Sequence, residues 1–377
     1  MKKIVYMLIL IVVIIFLPLK ARAQEQTSIT DELGIDTEIV DDSIPPEVKN
    51  FIDEKNISVE NTDTMTEITP LEVLAYIWDI FKDNLTKPLQ ILASLLAIML
   101  ISVIVNNMED SLSNKSTSGM FGVISVLISV GLISDSVSSC IDTASETLTS
   151  GSQFMVGYVP VFAGITASSG SVTSATAYNL LVILVSQGAA QIFADIIVPV
   201  LSLCMAVGII EAINPEFRLS GITEGIKKGV TFVIGFVMVV FIGLMSLQSI
   251  IGASADTLGV KAAKYMVANW IPFIGGAIAD TYTTVKHSLG LLRGGAGFLG
   301  IAVVFMIVVP PLIEIIAMRM IFSIADIISD LFSVPQIKIL LKNTGWILSI
   351  TFSILICFSV MFIISTTMLM LVGLNVS

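Results

Sequence analysis

The chain has 377 residues, 55% of them hydrophobic and only 13% charged, with a mean hydropathy of +0.95. Soluble domains carry about 25% charged residues, so this composition excludes an ordinary soluble protein and describes a polytopic membrane protein. The net charge of −11 is local, since 16 of the 30 acids but only 4 of the 19 bases lie between Gln24 and Pro88. The acidity belongs to one extramembrane segment, which argues against a nucleic-acid partner.

The chain opens with "MKK", the apolar run "IVYMLILIVVIIFLPL" and "ARA". These are the basic end, apolar run and small-residue site of a secretory signal over 1–23. Cleavage after Ala23 is the natural reading; Lys20 and Arg22 beside the site leave an uncleaved anchor as the alternative. Either way the chain from Gln24 onward starts outside the cytoplasm. Residues 24–69 are acidic and poor in aromatics, the pattern of a flexible ectodomain. Over 70–88, Leu71, Leu74, Ile77, Trp78 and Phe81 fall at helical spacing and Pro70 suits a first turn, which predicts an amphipathic helix on the membrane surface.

Strong apolar segments follow at Leu89–Val105, Met120–Ser134, Leu180–Ile210, Val230–Ile251, Phe298–Met318 and Trp346–Val372. One bilayer crossing takes about 20 residues. The first span is placed at 89–106 and the last at 346–373. The linkers between the pairs carry Lys115, Arg218, Lys227, Lys228, Arg319, Lys338 and Lys342, which favours a cytoplasmic position for all three.

An internal repeat is legible. "ASETLTSGSQFMVGYVPVFAG" resembles "SADTLGVKAAKYMVANWIPFIGG", with Glu146-Thr147-Leu148 against Asp256-Thr257-Leu258, Pro160 against Pro272 and Gly164 against Gly276. The copies run over 119–213 and 230–324, each beginning and ending at a basic linker, so each crosses the membrane an even number of times. The fold expected is an all-α polytopic membrane protein built on this tandem duplication. The uncharged run "PVFAGITASSGSVTSATAYN" is rich in small residues and hydroxyls, which suits close backbone approach and a bent backbone inside the protein. It reads as a half-span, with Pro160/Gly164 and Pro272/Gly276 marking equivalent tight turns or helix contacts.

Chemistry-bearing motifs are sparse. "GAGFLG" (295–300) fits the dinucleotide pattern but follows no strand and opens a hydrophobic span; close helix packing explains it better. Cys140, Cys204, Cys357 and His287 cannot assemble a closed zinc site. No catalytic residue, metal site or cofactor is expected, and the chain is read as no enzyme. Polar side chains inside apolar runs are costly in lipid, which singles out Asp195, Glu211, Glu314, Gln187 and Gln191 as structural or pathway residues. Arg319, Ser323, Asp326 and Asp330 recur at helical spacing opposite Ile321, Phe322, Ile328 and Phe332. That cytoplasmic amphipathic stretch continues as a linker over 325–345, and Arg319, Asp326 and Asp330 are candidates for docking a partner.

The signal sequence, the acidic ectodomain, "YVPVFAGITASSGSVTSATAYN" and "DIIVPVLSLCMAVGIIEAINP" together resemble the stage III sporulation protein AE family of endospore-forming bacteria. The resemblance implies a multi-pass protein of the outer forespore membrane, made by the mother cell. Its partners would be the other stage III sporulation A proteins, a forespore membrane partner and membrane lipid. Together they would form a secretion-like channel that sustains forespore development, energised by a separate ATPase. The alternative from the residues alone is a self-contained small-molecule permease using the paired half-spans and Glu314.

Overall fold

The structure, a computed structural model, describes residues 38–46, 48–49, 70–111, 115–214, 217, 219–270 and 275–371. The signal-like segment 1–23, most of the acidic segment 24–69 and Pro272 lie outside them. Nearly all of the described chain is helical, and no strand occurs among the described residues. In order the elements are α1 (Glu38–Ser43), α2 (Pro70–Asp83), α3 (Thr86–Ser111), α4 (Lys115–Ser168), α5 (Val172–Gln191), a π-helical segment (Ile192–Ile197), α6 (Val198–Ile213), α7 (Ser220–Trp270), α8 (Gly275–Leu331) and α9 (Pro335–Leu371).

Six stretches within them are long and apolar enough to cross a membrane: Thr86–Val105, Ile124–Ser168, Val172–Ile213, Ser220–Asp256, Arg293–Leu331 and Pro335–Leu371. Each contains most or all of one apolar segment read from the sequence. The helices are much longer than those segments. At 1.5 Å per residue the 54 residues of α4 extend for about 80 Å, against roughly 30 Å of hydrocarbon. The polar stretch after Ser134 continues as helix. Its buried residues Val137, Cys140, Ile141, Ala144 and Leu148 recur at the three- and four-residue spacing of one helical face.

Hydroxyl side chains make such a helix tolerable in an apolar setting. Ser129, Ser136, Thr143 and Thr147 of α4 each donate to the carbonyl four residues back, at 2.6–3.0 Å. Thr344, Thr351 and Ser353 do the same in α9. Their polarity is satisfied within their own helix, with no partner needed from water or lipid.

Helices α8 and α9 form the centre. Leu299, Val303, Val304, Leu312, Ile315 and Phe322 of α8 pack with Leu340, Ile347, Leu355, Phe358 and Phe362 of α9, and α4 lies across both. Helix α7 is peripheral and leaves Phe232, Phe236, Val239, Leu247, Ile250 and Ile251 exposed. Part of the acidic segment is docked: α1 packs against α4, with Val40, Ile44 and Val48 buried. Helix α2 begins at Pro70 as its proline suggests, and burial raises the pKa of the Tyr76 phenol above its ordinary value.

Two reversals share one solution. After α4, Gly170 takes φ 92° while its N–H bonds Ala167 O at 2.9 Å and the Ser171 N–H bonds Thr166 O at 3.3 Å. After α8, Ser333 takes φ 54°, with its N–H on Asp330 O at 3.2 Å and the Val334 N–H on Ser329 O at 3.0 Å. Both are left-handed caps that satisfy the last carbonyls of a helix.

The run Pro160–Asn179 is thus the tip of a helical hairpin. Helix α4 passes through Pro160 without a break and turns only at Ser169–Ser171. No half-span break occurs at Pro160. The tight turn belongs to Gly170, and Gly164 sits in open space, with nothing within 4 Å of where a Cβ would stand. Gly276 lies in the first turn of α8.

Candidate functional site

The most enclosed part of the bundle lies where α4, α5, α8 and α9 meet. Phe154, Tyr158 and Phe162 stand one helical turn apart on α4, which stacks their rings with centroids 5.3 and 5.4 Å apart. Phe162 meets Tyr178 of α5 edge-on at 5.9 Å, and Phe362 of α9 leans on Tyr158 at 5.7 Å. All five side chains are buried. Such ring pairs add about 0.5–1.5 kcal/mol each beyond their buried area.

The polar ends of the two tyrosines are separately housed. Tyr158 Oη donates to Ala296 O of α8 at 3.0 Å. One turn on, Gly300 leaves room for the ring, and a Cβ there would strike Tyr158 itself. Gly297 likewise admits Met370 of α9. These glycines of "GAGFLG" are therefore contact points between helices, as the sequence indicates. Tyr178 Oη lies beside the hydroxyls of Ser365 and Thr366, although neither it nor Thr366 Oγ1 completes a well-formed hydrogen bond. The result is a neutral knot of rings and hydroxyls.

A second buried polar contact ties the hairpin tip to α7. The N-cap residue Ser171 makes no side-chain cap. Its place is taken by Asp256, buried on α7, whose Oδ1 and Oδ2 accept the N–H groups of Thr173 at 2.8 Å and Ser174 at 3.0 Å. Gln248, two turns earlier, donates to Ser174 O at 3.0 Å. A carboxylate suits this position because the first amides of a helix are unpaired and the dipole favours negative charge there. The repeat pairs Asp256 with Glu146, yet Glu146 is exposed on α4, so the aligned residues do not share this role.

Along α6, Asn343 of α9 donates to Cys204 O at 2.8 Å, and Gly208 makes room for its amide. Tyr158, Tyr178, Asp256 and Asn343 are not marked by the sequence as site residues, because each is ordinary in its local context. The legible signal is the glycines inside apolar runs, since the serine at 171 reads as an ordinary N-cap.

The residues marked in the sequence are dispersed. Glu314 is half-buried on α8, just after Pro310–Pro311, within electrostatic reach of Cys140 on α4. Glu211 is half-buried at the end of α6, and Asp195 is exposed in the π-helical segment. Pro160 is exposed on α4 and Gly164 half-buried. Of the docking stripe, Arg319 turns inward and donates to Ser349 of α9, Asp326 is half-buried, and Asp330 is exposed and paired with Lys338 across the α8–α9 turn. His287 lies on α8. Among the described residues no three His, Cys, Asp or Glu side chains form a metal-binding group.

Residues 54–373 match the family model described as stage III sporulation protein AE. The stage III sporulation protein AE of Bacillus subtilis (strain 168) is 22% identical over 285 residues, covering 75% of this chain and 71% of its own. No solved structure matches.

Proposed function

The chain belongs to the stage III sporulation protein AE family, a membrane protein of sporulation, and on that premise we propose that it is a non-enzymatic subunit of a channel joining mother cell and forespore. It would sit in the outer forespore membrane with its acidic segment 24–88 in the space between the two membranes. The other stage III sporulation A proteins and a forespore membrane partner would complete the conduit.

The observation that carries the subunit reading over a self-contained permease is the filled centre. A permease needs a hydrated passage through its own bundle. Here that position holds the stacked rings of Phe154, Tyr158, Phe162 and Phe362, with Tyr158 bonded across to α8. Glu314, the carboxylate a permease would use, lies half-buried at the α4–α8 contact, apart from the ring stack.

Solute flux through the purified chain in liposomes tests this reading. We expect release of small polar solutes at the rate of empty liposomes. Saturable flux that is lost in Glu314→Gln would establish the permease instead.

A further inference from the structure

The π-helical segment Ile192–Ile197 lies near the middle of the membrane-spanning stretch Val172–Ile213. Its surface is unusual for an apolar run. Asp195 and Gln191, about one turn apart, are both exposed, in a run flanked by exposed Leu184, Ile196 and Leu203. Among the described residues neither side chain has a hydrogen bond or an ion pair. An exposed carboxylate between two apolar stretches is costly in lipid and calls for a polar partner. Gly188, one turn before Gln191, has nothing within 4 Å of where a Cβ would stand, so another backbone can approach closely there. π-Helical turns interrupt a helix at a cost and gather at functional positions.

We propose that this face is a contact between two copies of the chain. The face is self-complementary: the Gln191 amide supplies donors and the Asp195 carboxylate supplies acceptors. Copies inserted in one membrane share one orientation, so a twofold axis along the membrane normal brings the same face to the same depth. Gln191 of each copy then donates to Asp195 of the partner subunit, which is the reciprocal pattern of an isologous interface. A foreign helix would have to bring its own cation or donor to this depth, whereas a second copy brings both halves of the pair.

The test uses the full chain expressed in a host without sporulation proteins, with Cys140, Cys204 and Cys357 replaced by alanine. A Ser202→Cys reporter sits on the same face, two turns from Asp195, and leaves Gln191 and Asp195 intact. Val239→Cys, on the exposed side of α7, is the control. Oxidation in the membrane should give disulfide-linked dimers from Ser202→Cys and not from Val239→Cys. Adding Asp195→Leu removes both reciprocal contacts and should lower the dimer yield about thirtyfold, the equilibrium change for two interhelical polar contacts worth ~1 kcal/mol each, while Asp195→Asn should retain it. Dimer yields at Ser202→Cys no higher than at Val239→Cys, in chains that reach the membrane equally, would overturn the proposal. So would a yield indifferent to Asp195→Leu, or cross-linking only to a protein of another size in sporulating cells.

Discussion

Asp256 of α7 caps α5 by accepting the backbone N–H of Ser174 at 3.0 Å, and so fixes the hairpin tip against a helix whose apolar side chains are largely exposed. The carboxylate is buried, and its removal leaves two amides without acceptors. Asp256→Ala should lower stability by about 1–3 kcal/mol, read as thermal unfolding of the purified chain in mild detergent. Asp256→Asn, which keeps one acceptor, should lose less. Glu146→Ala should be neutral, and an equal loss there would show that the cap is not what matters.

The glycines divide by what they face. Gly300→Ala would press a methyl into the Tyr158 ring, and Gly208→Ala into the Asn343 amide. Each should destabilise by about 1–3 kcal/mol, the usual cost of overpacking. Gly164→Ala meets open space and should change stability little, or raise it slightly through better helix propensity. Thermal melting of the three variants side by side decides it; a Gly164→Ala loss as large as that of Gly300→Ala would contradict the packing described.

The two left-handed turns respond in opposite directions. Ser333 adopts φ 54° with a side chain, a conformation that costs L-residues roughly 1–2 kcal/mol. Ser333→Gly should therefore stabilise by about 0.5–1 kcal/mol. Gly170→Ala forces the same strain onto the hairpin tip at φ 92° and should destabilise by at least ~1 kcal/mol. Matching shifts in both variants would mean that turn geometry is not what limits either.

The membrane spans were legible in the sequence and the helices that contain them were not. Apolar runs near 20 residues mark crossings because lipid admits little else, so all six segments fall on long apolar helices. Beyond those runs the signal is periodic. Val137, Cys140, Ile141, Ala144 and Leu148 carry it through Asp135, Asp142 and Glu146, a pattern that a search for continuous hydrophobicity does not register. The repeat aligns Glu146 with Asp256, but the two are placed differently, exposed on α4 and buried on α7. Pro160 lies inside α4, ten residues before the turn at Gly170, and the partner of Asp256 in the first copy caps nothing. Tertiary partners such as Ala296 O for Tyr158 leave no local trace, because any buried tyrosine needs some acceptor.

The polar stripe of α8 reads from the sequence as a cytoplasmic docking surface, and its three candidates sit differently in the fold. Arg319 serves α9 through Ser349, so the remaining surface is Asp330 with the half-buried Asp326. Reversal of both acids to lysine should weaken recovery of a cytoplasmic partner from sporulating cells while membrane levels stay normal. The Asp330–Lys338 pair is exposed, and such pairs contribute only about 0–1 kcal/mol, so loss of the pair by itself should not unfold the turn. Unchanged partner recovery with normal sporulation would reduce the stripe to a solvated face.

The most direct measurement is isolation of the tagged chain from membranes of sporulating cells in mild detergent, followed by native mass determination. The 40.4-kDa chain should elute in an assembly far larger than itself that contains other stage III sporulation A proteins. A chain recovered alone from cells that complete sporulation, with no companion at any detergent strength, would contradict its place as a channel subunit.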